Sequence, residues 1–339
     1  MNLKELAREL GLSKTTISRA LNGFPEVNEE TRVRVEQAAR KFGYAPNTSA
    51  RRLATGRVGA AGIVLPGHLS DRYSAQTVEY VSGLAEGLAA AKIDLLMSPL
   101  LNGDEMAIYR RWISSKSVDA VILTDPVHSD PRIRLFVEKK FPFVLHGSTD
   151  VDLPYAWLDI DNEDAYRQAT SYLLDLGHKE IAIIEGLAGF TFTEDRQRGY
   201  VETLTGRGLE PRSDFIVHDR FTTEAGFRAT SRLLSMSPRP TALIVGSMMS
   251  TVGVYQAIRS NGWEVGREVS VIAHDDVFPY LSATDMVPVL TTTRSSVRLA
   301  GLKIAEMLVS ILDGKDAPSL SVKWPVELIV RQSTAPPRT

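Results

Sequence analysis

Residues 3–23 read LKELARELGLSKTTISRALNG. At about 100° per residue, a helix over its second half divides cleanly, with Lys14, Thr15, Ser18, Arg19 and Asn22 on one arc and Ile17, Ala20 and Leu21 on the other. Any surface helix divides this way, so the upstream residues decide the reading. Asn2 followed by Glu5 is a capping-box pattern, and Leu3, Leu6, Ala7 and Leu10 give a first helix one apolar face. Gly11 follows where a helix end needs a left-handed residue, Leu12 enters the core, and Ser13 is placed to cap the second helix. A third helix is predicted from about Asn28, with Val35, Ala38, Ala39 and Phe42 facing inward and Gly43 as its stop.

Two helices that cross tightly need a small residue at the contact, a turn residue tolerant of positive φ, and a branched apolar residue pointing back inward. Ala7, Gly11 and Ile17 supply them, as in a helix-turn-helix. An ordinary helical hairpin makes the same demand. Charge separates the two. Residues 1–57 hold 11 Lys and Arg against 6 Glu and no Asp, a charge of +5, while the remainder holds 28 basic and 35 acidic residues, a charge of −7. A basic head on an acidic body points to a polyanionic partner for the head. The second helix of such a unit lies in the major groove. Lys14 and Arg19 then donate to guanine O6 and N7, and Thr15 contacts bases or a thymine methyl. Ser18 and Asn22 bind phosphates, and Ser13 and Thr16 complete the same surface. For Lys14 the plain alternative is a solvated lysine.

The segment YAPNTSARRLATGR (44–57) follows. Pro46 stops the preceding structure, Asn47 can cap, and Thr48 to Ala54 suffices for about two turns, a helix marginal on its own in water. Leu53 among Arg51, Arg52 and Arg57 reads as an apolar wedge for a minor-groove step, with the arginines on phosphates.

From Val58 onward, short apolar runs alternate with amphipathic stretches. The runs are GAAGIVLP, DLLMSPL, DAVILTDP, FPFVLHGS, EIAIIEG, FIVHD, TALIVGS and VSVIAHDD; helix candidates include residues 77–91, 161–177 and 224–236. The alternation predicts parallel sheets with helices on both faces, and the length predicts two lobes joined at WLDIDNEDAY (157–166) and near residues 290 and 320. Ligands of such sheets sit beyond the carboxyl ends of the strands. Asp71 and Tyr73, His146, Arg196 and Asp275 each fall just after such a run. Singly, each suits an ordinary loop; together, carboxylates and an arginine fork suit vicinal hydroxyls, with Phe221 or a tryptophan to cover an apolar sugar face.

The whole chain resembles the LacI/GalR family of bacterial transcription regulators. The residues carrying the resemblance are LKELARELGLSKTTISRALNG (3–23), VNEETRVRVEQAARKFGYAPN (27–47), ARRLATGR (50–57), LGHKEIAII (176–184), DRQRGY (195–200), TALIVGS (241–247), VSVIAHDD (269–276), LTTTR (290–294) and ELIVRQST (327–334). The resemblance implies an all-α three-helix DNA-binding head with a hinge helix, joined to an α/β body of two doubly wound parallel-sheet lobes of periplasmic-binding-protein type. It places a helix-turn-helix domain over 1–46, a hinge helix and linker over 47–57, and the effector-binding and dimerisation body over 58–339. The N-lobe spans about 58–160 plus about 291–320, and the C-lobe about 161–290 plus about 321–335. Lys14, Thr15 and Arg19 match base-reading positions, Asn47 to Ala54 the hinge helix, and Leu53 the minor-groove lever. Arg196 and Asp275 match the positions that most often touch effector, and His146, Phe221 and Ser295 match further pocket positions.

One departure from the family concerns the loop after TALIV, where many members carry Asn-Asp and this chain has Ser247, taken as an effector contact, and Met248. The phrase FPFVLHGS (141–148) resembles members that respond to α-glucosides and related sugars.

The expected function is a repressor of carbohydrate utilisation that binds a pseudopalindromic operator as a homodimer under control of a mono- or disaccharide. A nucleobase, nucleoside or other metabolite acting as corepressor is the alternative. Rival classes lack their marks. No GxGxxG opens a helix after a strand, there is no P-loop or GxSxG elbow, and the six histidines show no metal spacing. No cofactor or metal is expected, and His178 reads as structural. A sugar transport protein needs a signal peptide, whereas MNLKELAREL is charged and amphipathic. With no cysteine and no apolar run of spanning length, a cytoplasmic protein is expected, without a membrane partner. No leucine-heptad tail follows ELIVRQSTAPPRT, which favours a dimer over a tail-mediated tetramer.

Overall fold

The structure is a computed structural model that describes residues 1–21, 24–44, 56–65, 67, 74–100, 103–275 and 277–338. It divides into two compact units, Met1–Gly59 and Ala60–Thr339.

In the first unit, α1 (Leu3–Leu10) starts with a reciprocal cap. Asn2 Oδ1 accepts from the Glu5 N–H at 3.0 Å, and Glu5 Oε2 accepts from the Asn2 N–H at 2.9 Å. Such a cap stabilises a helix by about 1 kcal/mol. Gly11 ends α1 at φ 65°, which lets the Leu12 N–H close on the Ala7 carbonyl at 3.0 Å. After that turn, α2 (Lys14–Leu21) is capped by Ser13, whose Oγ accepts from the Thr16 N–H at 3.0 Å. Asn28 caps α3 (Glu29–Lys41) through the Thr31 N–H at 2.8 Å. Leu6, Ile17 and Val35 are fully buried where the helices meet, and Ala7, Ala20, Ala38 and Ala39 let the backbones approach.

The second unit is built on two six-stranded sheets. The N-lobe alternates β1 (Ala60–Leu65), α4 (Ala75–Ala90), β2 (Asp94–Pro99), α5 (Glu105–Ser115), β3 (Ala120–Leu123), α6 (Pro131–Glu138), β4 (Phe143–His146) and β5 (Ala156–Ile160). The C-lobe follows with α7 (Asn162–Asp175), β6 (Ile181–Glu185), α8 (Thr191–Gly206), β7 (Ile216–His218), α9 (Thr223–Leu234), β8 (Ala242–Val245), α10 (Met248–Ser260), β9 (Ser270–Asp275) and β10 (Thr291–Arg294). The chain then returns to the N-lobe as α11 (Val297–Leu312) and β11 (Val322–Trp324), and to the C-lobe as β12 (Glu327–Ile329). The sheet orders are β11-β5-β4-β3-β1-β2 and β12-β10-β9-β8-β6-β7. Central strands such as β3, β6 and β8 are buried at every residue, because helices cover both faces of a parallel sheet.

One expectation is corrected here. The later crossings lie beyond residues 290 and 320: β10 pairs with β9 in the C-lobe sheet and β11 pairs with β5 in the N-lobe sheet. Each strand stays with the sheet that satisfies its backbone groups, so the chain crosses only after the ladder ends. The fold is the expected two-lobed α/β body with parallel sheets, to which the three-residue β12 adds an edge strand antiparallel to β10. The N-lobe pair α4 and α11 packs through glycines. A Cβ on Gly83 would stand 2.0 Å from the Arg298 carbonyl, and one on Gly301 would stand 2.3 Å from the Tyr80 carbonyl.

Candidate functional site

The first unit presents one face of α2. Ile17 and Ala20 are buried behind it, so Lys14, Thr15 and Arg19 on the opposite arc are exposed. Ser13 and Thr16 are tied to each other, their hydroxyls 2.8 Å apart, so their first role is to close the start of the helix. Ser18 is partly buried. Asn22, Asn47, Arg51, Leu53, Ala54 and the expected hinge helix lie outside the described residues.

In the second unit, a cavity of about 310 Å³ opens where strands of both lobes end. Leu65, His146 and Asp159 come from the ends of β1, β4 and β5; Gly186, Gly246 and His274 come from the ends of β6, β8 and β9. Of the residues expected there, His146, Arg196, Phe221 and Ser295 line one cavity. Asp71 and Tyr73 lie outside the described residues.

Ser247 and Asp275 are not among the lining residues. Ser247 is fully buried, its Oγ capping α10 through the Ser250 N–H at 3.1 Å, and Met248 packs in the C-lobe core. The departure at this loop thus exchanges polar side chains for a helix cap and a core residue. Asp275 Oδ1 accepts from the Val277 N–H at 2.8 Å, and Oδ2 stands 3.8 Å from Arg294 Nε. The residue before it, His274, lines the cavity instead.

Arg196 is the best-anchored charge in the site and is 5% exposed. Its Nε donates to Asn162 Oδ1 at 2.8 Å and its Nη1 to the Gly246 carbonyl at 3.1 Å. Nη1 also faces Glu185 Oε2 at 3.4 Å, and the guanidinium lies over the Phe192 and Tyr166 rings at 5.4 and 5.7 Å. Nη2 makes no hydrogen bond among the described residues, which leaves one arm of the fork for a ligand. Burial pushes the Glu185 carboxyl up, and the Arg196 charge opposes that. A Cβ at position 246 would meet Glu185 Oε1 at 2.5 Å, so Gly246 is required for the carboxylate to sit here.

The walls are aromatic on both lobes. On the N-lobe side, Tyr80 and His146 stack at 4.7 Å and 12°. Burial pushes the His146 imidazole down to about 4, so it is neutral at physiological pH; what surface it keeps belongs to the cavity wall. On the C-lobe side, Phe190 and Phe192 are nearly parallel at 6.0 Å, and Phe192 meets Phe221 at 6.4 Å. His274 is held neutral by burial and by the nearby Arg196 charge, its Nε2 2.7 Å from Ser295 Oγ. Burial raises Asp159, which accepts a hydrogen bond from the Ser148 hydroxyl.

Sequence reasoning missed Tyr80, Asn162, Glu185, Phe190, Phe192 and His274. For His274 the signal was strand alternation, which puts residues 274 and 275 on opposite faces of β9. For the two phenylalanines it was the pair of rings flanking the first turn of the helix that carries Arg196. Elsewhere His178 is structural, as expected: it is 1% exposed, with Nδ1 2.8 Å from Thr241 Oγ1 and Nε2 2.9 Å from the Ala335 carbonyl. Among the described residues no cluster of three metal-ligating side chains occurs, and no helix is long and apolar enough to cross a membrane.

A helix-turn-helix head followed by a two-lobed body, with a cavity at its strand ends, defines a transcription regulator with a binding-protein-like effector domain. Residues 2–47 match the family described as "Bacterial regulatory proteins, lacI family", and residues 170–334 match "Periplasmic binding protein-like domain". The chain is 41% identical over 338 residues to the HTH-type transcriptional regulator AglR of Rhizobium meliloti (strain 1021), covering 99% of this chain and 95% of that one. It is 36% identical to the HTH-type transcriptional regulator RafR of Escherichia coli, covering 96% of each. A solved transcriptional regulator CelR–cellobiose complex superposes with a TM-score of 0.72 at 25% identity, covering 98% of this chain and 99% of that one. The chain belongs to the LacI family. Its relatives are transcriptional regulators, not enzymes.

Proposed function

We propose that this protein is a dimeric repressor of a carbohydrate-utilisation operon that acts in the bacterial cytoplasm and reads a pseudopalindromic operator through Lys14, Thr15 and Arg19. A sugar in the cavity controls it. The observation that carries this reading is the Arg196 fork: two donors fixed by Asn162 and Gly246, one free to meet vicinal hydroxyls, and aromatic surface on both sides. A relative of the same architecture has been solved with cellobiose, which supports a sugar in this position. An effector can move the DNA-binding equilibrium only by its affinity difference between the two states. Fluorescence anisotropy with palindromic fragments, with and without sugars, tests this: a sugar-dependent change in affinity is expected. No preference for any palindrome over random DNA would overturn it.

The aromatic walls favour one further reading, a stacked nucleobase acting as corepressor. It requires DNA affinity to rise, not fall, when the base is added.

A further inference from the structure

The loop between β3 and α6 carries the N-lobe side of the contact with α8. Its Pro126 carbonyl accepts from the Thr191 N–H at 3.0 Å, and His128 Nε2 stands 2.7 Å from Glu194 Oε2. Within the N-lobe, the Val127 carbonyl accepts from the Thr149 hydroxyl at 2.8 Å, and the Ser129 N–H donates to Asp150 Oδ1 at 2.6 Å. The path of the loop is demanding. Asp125 and Ser129 adopt φ 51° and 52°, a left-handed backbone that residues other than glycine adopt at a cost. Such a segment keeps its shape only where its surroundings over-determine it.

Arg132 supplies that constraint. It is 8% exposed, lies outside the cavity lining, and each of its guanidinium nitrogens is engaged. Nε donates to Asp130 Oδ1 at 3.0 Å and Nη2 to Asp130 Oδ2 at 2.7 Å, a bidentate pair on a fully buried carboxylate. Nη2 also donates to the Asp125 carbonyl at 3.2 Å, and Nη1 to Glu105 Oε1 at 3.1 Å. Glu105 accepts a second hydrogen bond from the Tyr109 hydroxyl, one turn further along α5. One fork therefore ties both ends of the loop, Asp125 and Asp130, to α5.

Resting on the reading of an effector-controlled regulator, we propose that Arg132 is a positioning residue for the effector response: it holds residues 125–130 in the shape that closes on α8, the helix carrying Arg196. Loss of the fork lets the loop relax and loosens the closed lobes while both sheets stay folded. An effector that prefers closed lobes then binds less tightly. Arg132→Lys keeps the charge beside Asp130 but not the planar fork that spans three partners. Glu105→Gln leaves the pair with Asp130 in place and weakens its anchor on α5.

Amide hydrogen exchange of the full-length protein without sugar tests the loop. Thr191 is 4% exposed and its N–H donates to the Pro126 carbonyl, so its exchange reports closure. Val121 in β3 and Val271 in β9 are fully buried and report unfolding of either lobe. In Arg132→Lys the Thr191 amide should exchange about tenfold faster, and in Glu105→Gln by a smaller factor, with Val121 and Val271 unchanged. In isothermal titration with maltose, sucrose, melibiose and cellobiose, a sugar that binds wild type should bind Arg132→Lys roughly tenfold more weakly. Thr191 exchange at the wild-type rate in both variants would overturn the proposal, as would faster exchange with unchanged sugar affinity. Equal acceleration at all three amides, or failure of both variants to fold, would also overturn it and make the fork an ordinary core pair. If no sugar binds wild type, sugar control falls, and Thr191 exchange still decides whether Arg132 sets closure.

Discussion

His128 Nε2 stands 2.7 Å from Glu194 Oε2, joining a loop of the N-lobe to the first turns of α8 in the C-lobe. Two further links flank it: the Thr191 N–H donates to the Pro126 carbonyl at 3.0 Å, and the Thr191 hydroxyl donates to the Ser148 carbonyl at 2.8 Å. Phe190 provides no side-chain cap for α8, so an N-lobe carbonyl takes that role. Closure of the lobes is thereby written into the start of the helix that carries Arg196.

The His128–Glu194 contact is half-exposed on both sides, so its value is about 0–1 kcal/mol. His128→Ala should weaken effector affinity by up to about fivefold, because opening the lobes costs less without it. Glu194→Gln should do the same, and the double variant should add little. Titration of wild type and variants with the same sugar checks this. A variant indistinguishable from wild type would show that the two backbone-linked contacts hold the lobes without it.

Arg196 and Glu185 are a buried pair in which each charge tolerates burial because of the other. Arg196→Ala should abolish the effector response and destabilise the body by roughly 3–5 kcal/mol, since it strands a buried carboxylate. Arg196→Lys keeps the charge but not the fork; it should lose effector affinity with a smaller loss of stability. Adding Glu185→Gln to Arg196→Ala should restore most of the stability and none of the response. Thermal unfolding with and without sugar separates the two effects, and a double variant as unstable as the single one would show that charge is not the cause.

His146 contributes a pH dependence whose sign follows from its burial. An unfolded histidine titrates near 6.5, and here burial pushes the group down to about 4. Between those values the unfolded chain binds more protons than the folded one, so stability is complete above about 6.5 and is lost as pH falls toward 4. The loss is at most about 3 kcal/mol, since the ring keeps some surface in the cavity. His146→Phe retains a ring against Tyr80 and removes the titration, so its melting temperature should fall less steeply between pH 6.5 and 4. His178 and His274 are also pushed down, both first by burial, so some slope should remain. Parallel profiles for wild type and variant would count against a buried neutral His146.

How much of this was legible in the sequence follows from the kind of burial. Each quoted apolar run contains a strand, from Ala60–Leu65 to Ser270–Asp275; the central ones are apolar throughout because helices cover both their faces, whereas the edge strands Asp94–Pro99 and Ile216–His218 are only partly covered. Thr291–Arg294 escaped notice because its polar threonines look solvated; in the fold Thr291, Thr292 and Thr293 are all buried. Glu327–Ile329 and Val322–Trp324 are three residues each, too short for periodicity to declare. In the site, Arg196 and His146 stand out as polar residues after apolar runs. Tyr80 does not: it sits mid-helix, and only the stacking with His146 gives it a place in the wall. Ser247 misled for the opposite reason, since a serine between a strand and a helix serves a cap as readily as a ligand.

Arg19 provides the sharpest test of the head. It is exposed in the last turn of α2, on the arc opposite Ile17 and Ala20, so its removal leaves the buried contacts of the three helices intact. A guanidinium bidentate to guanine is worth about 1–3 kcal/mol of discrimination against the wrong base, whereas a phosphate contact carries no sequence information. Arg19→Ala should therefore lower affinity for a palindromic operator by roughly 10- to 100-fold and leave binding to random DNA nearly unchanged. Circular dichroism should show unaltered helix content, which removes unfolding as an explanation. Anisotropy against both DNAs over a salt series decides the matter. Equal losses on operator and random DNA, with the salt slope reduced by about one, would place Arg19 on the backbone and move base recognition to Lys14 and Thr15.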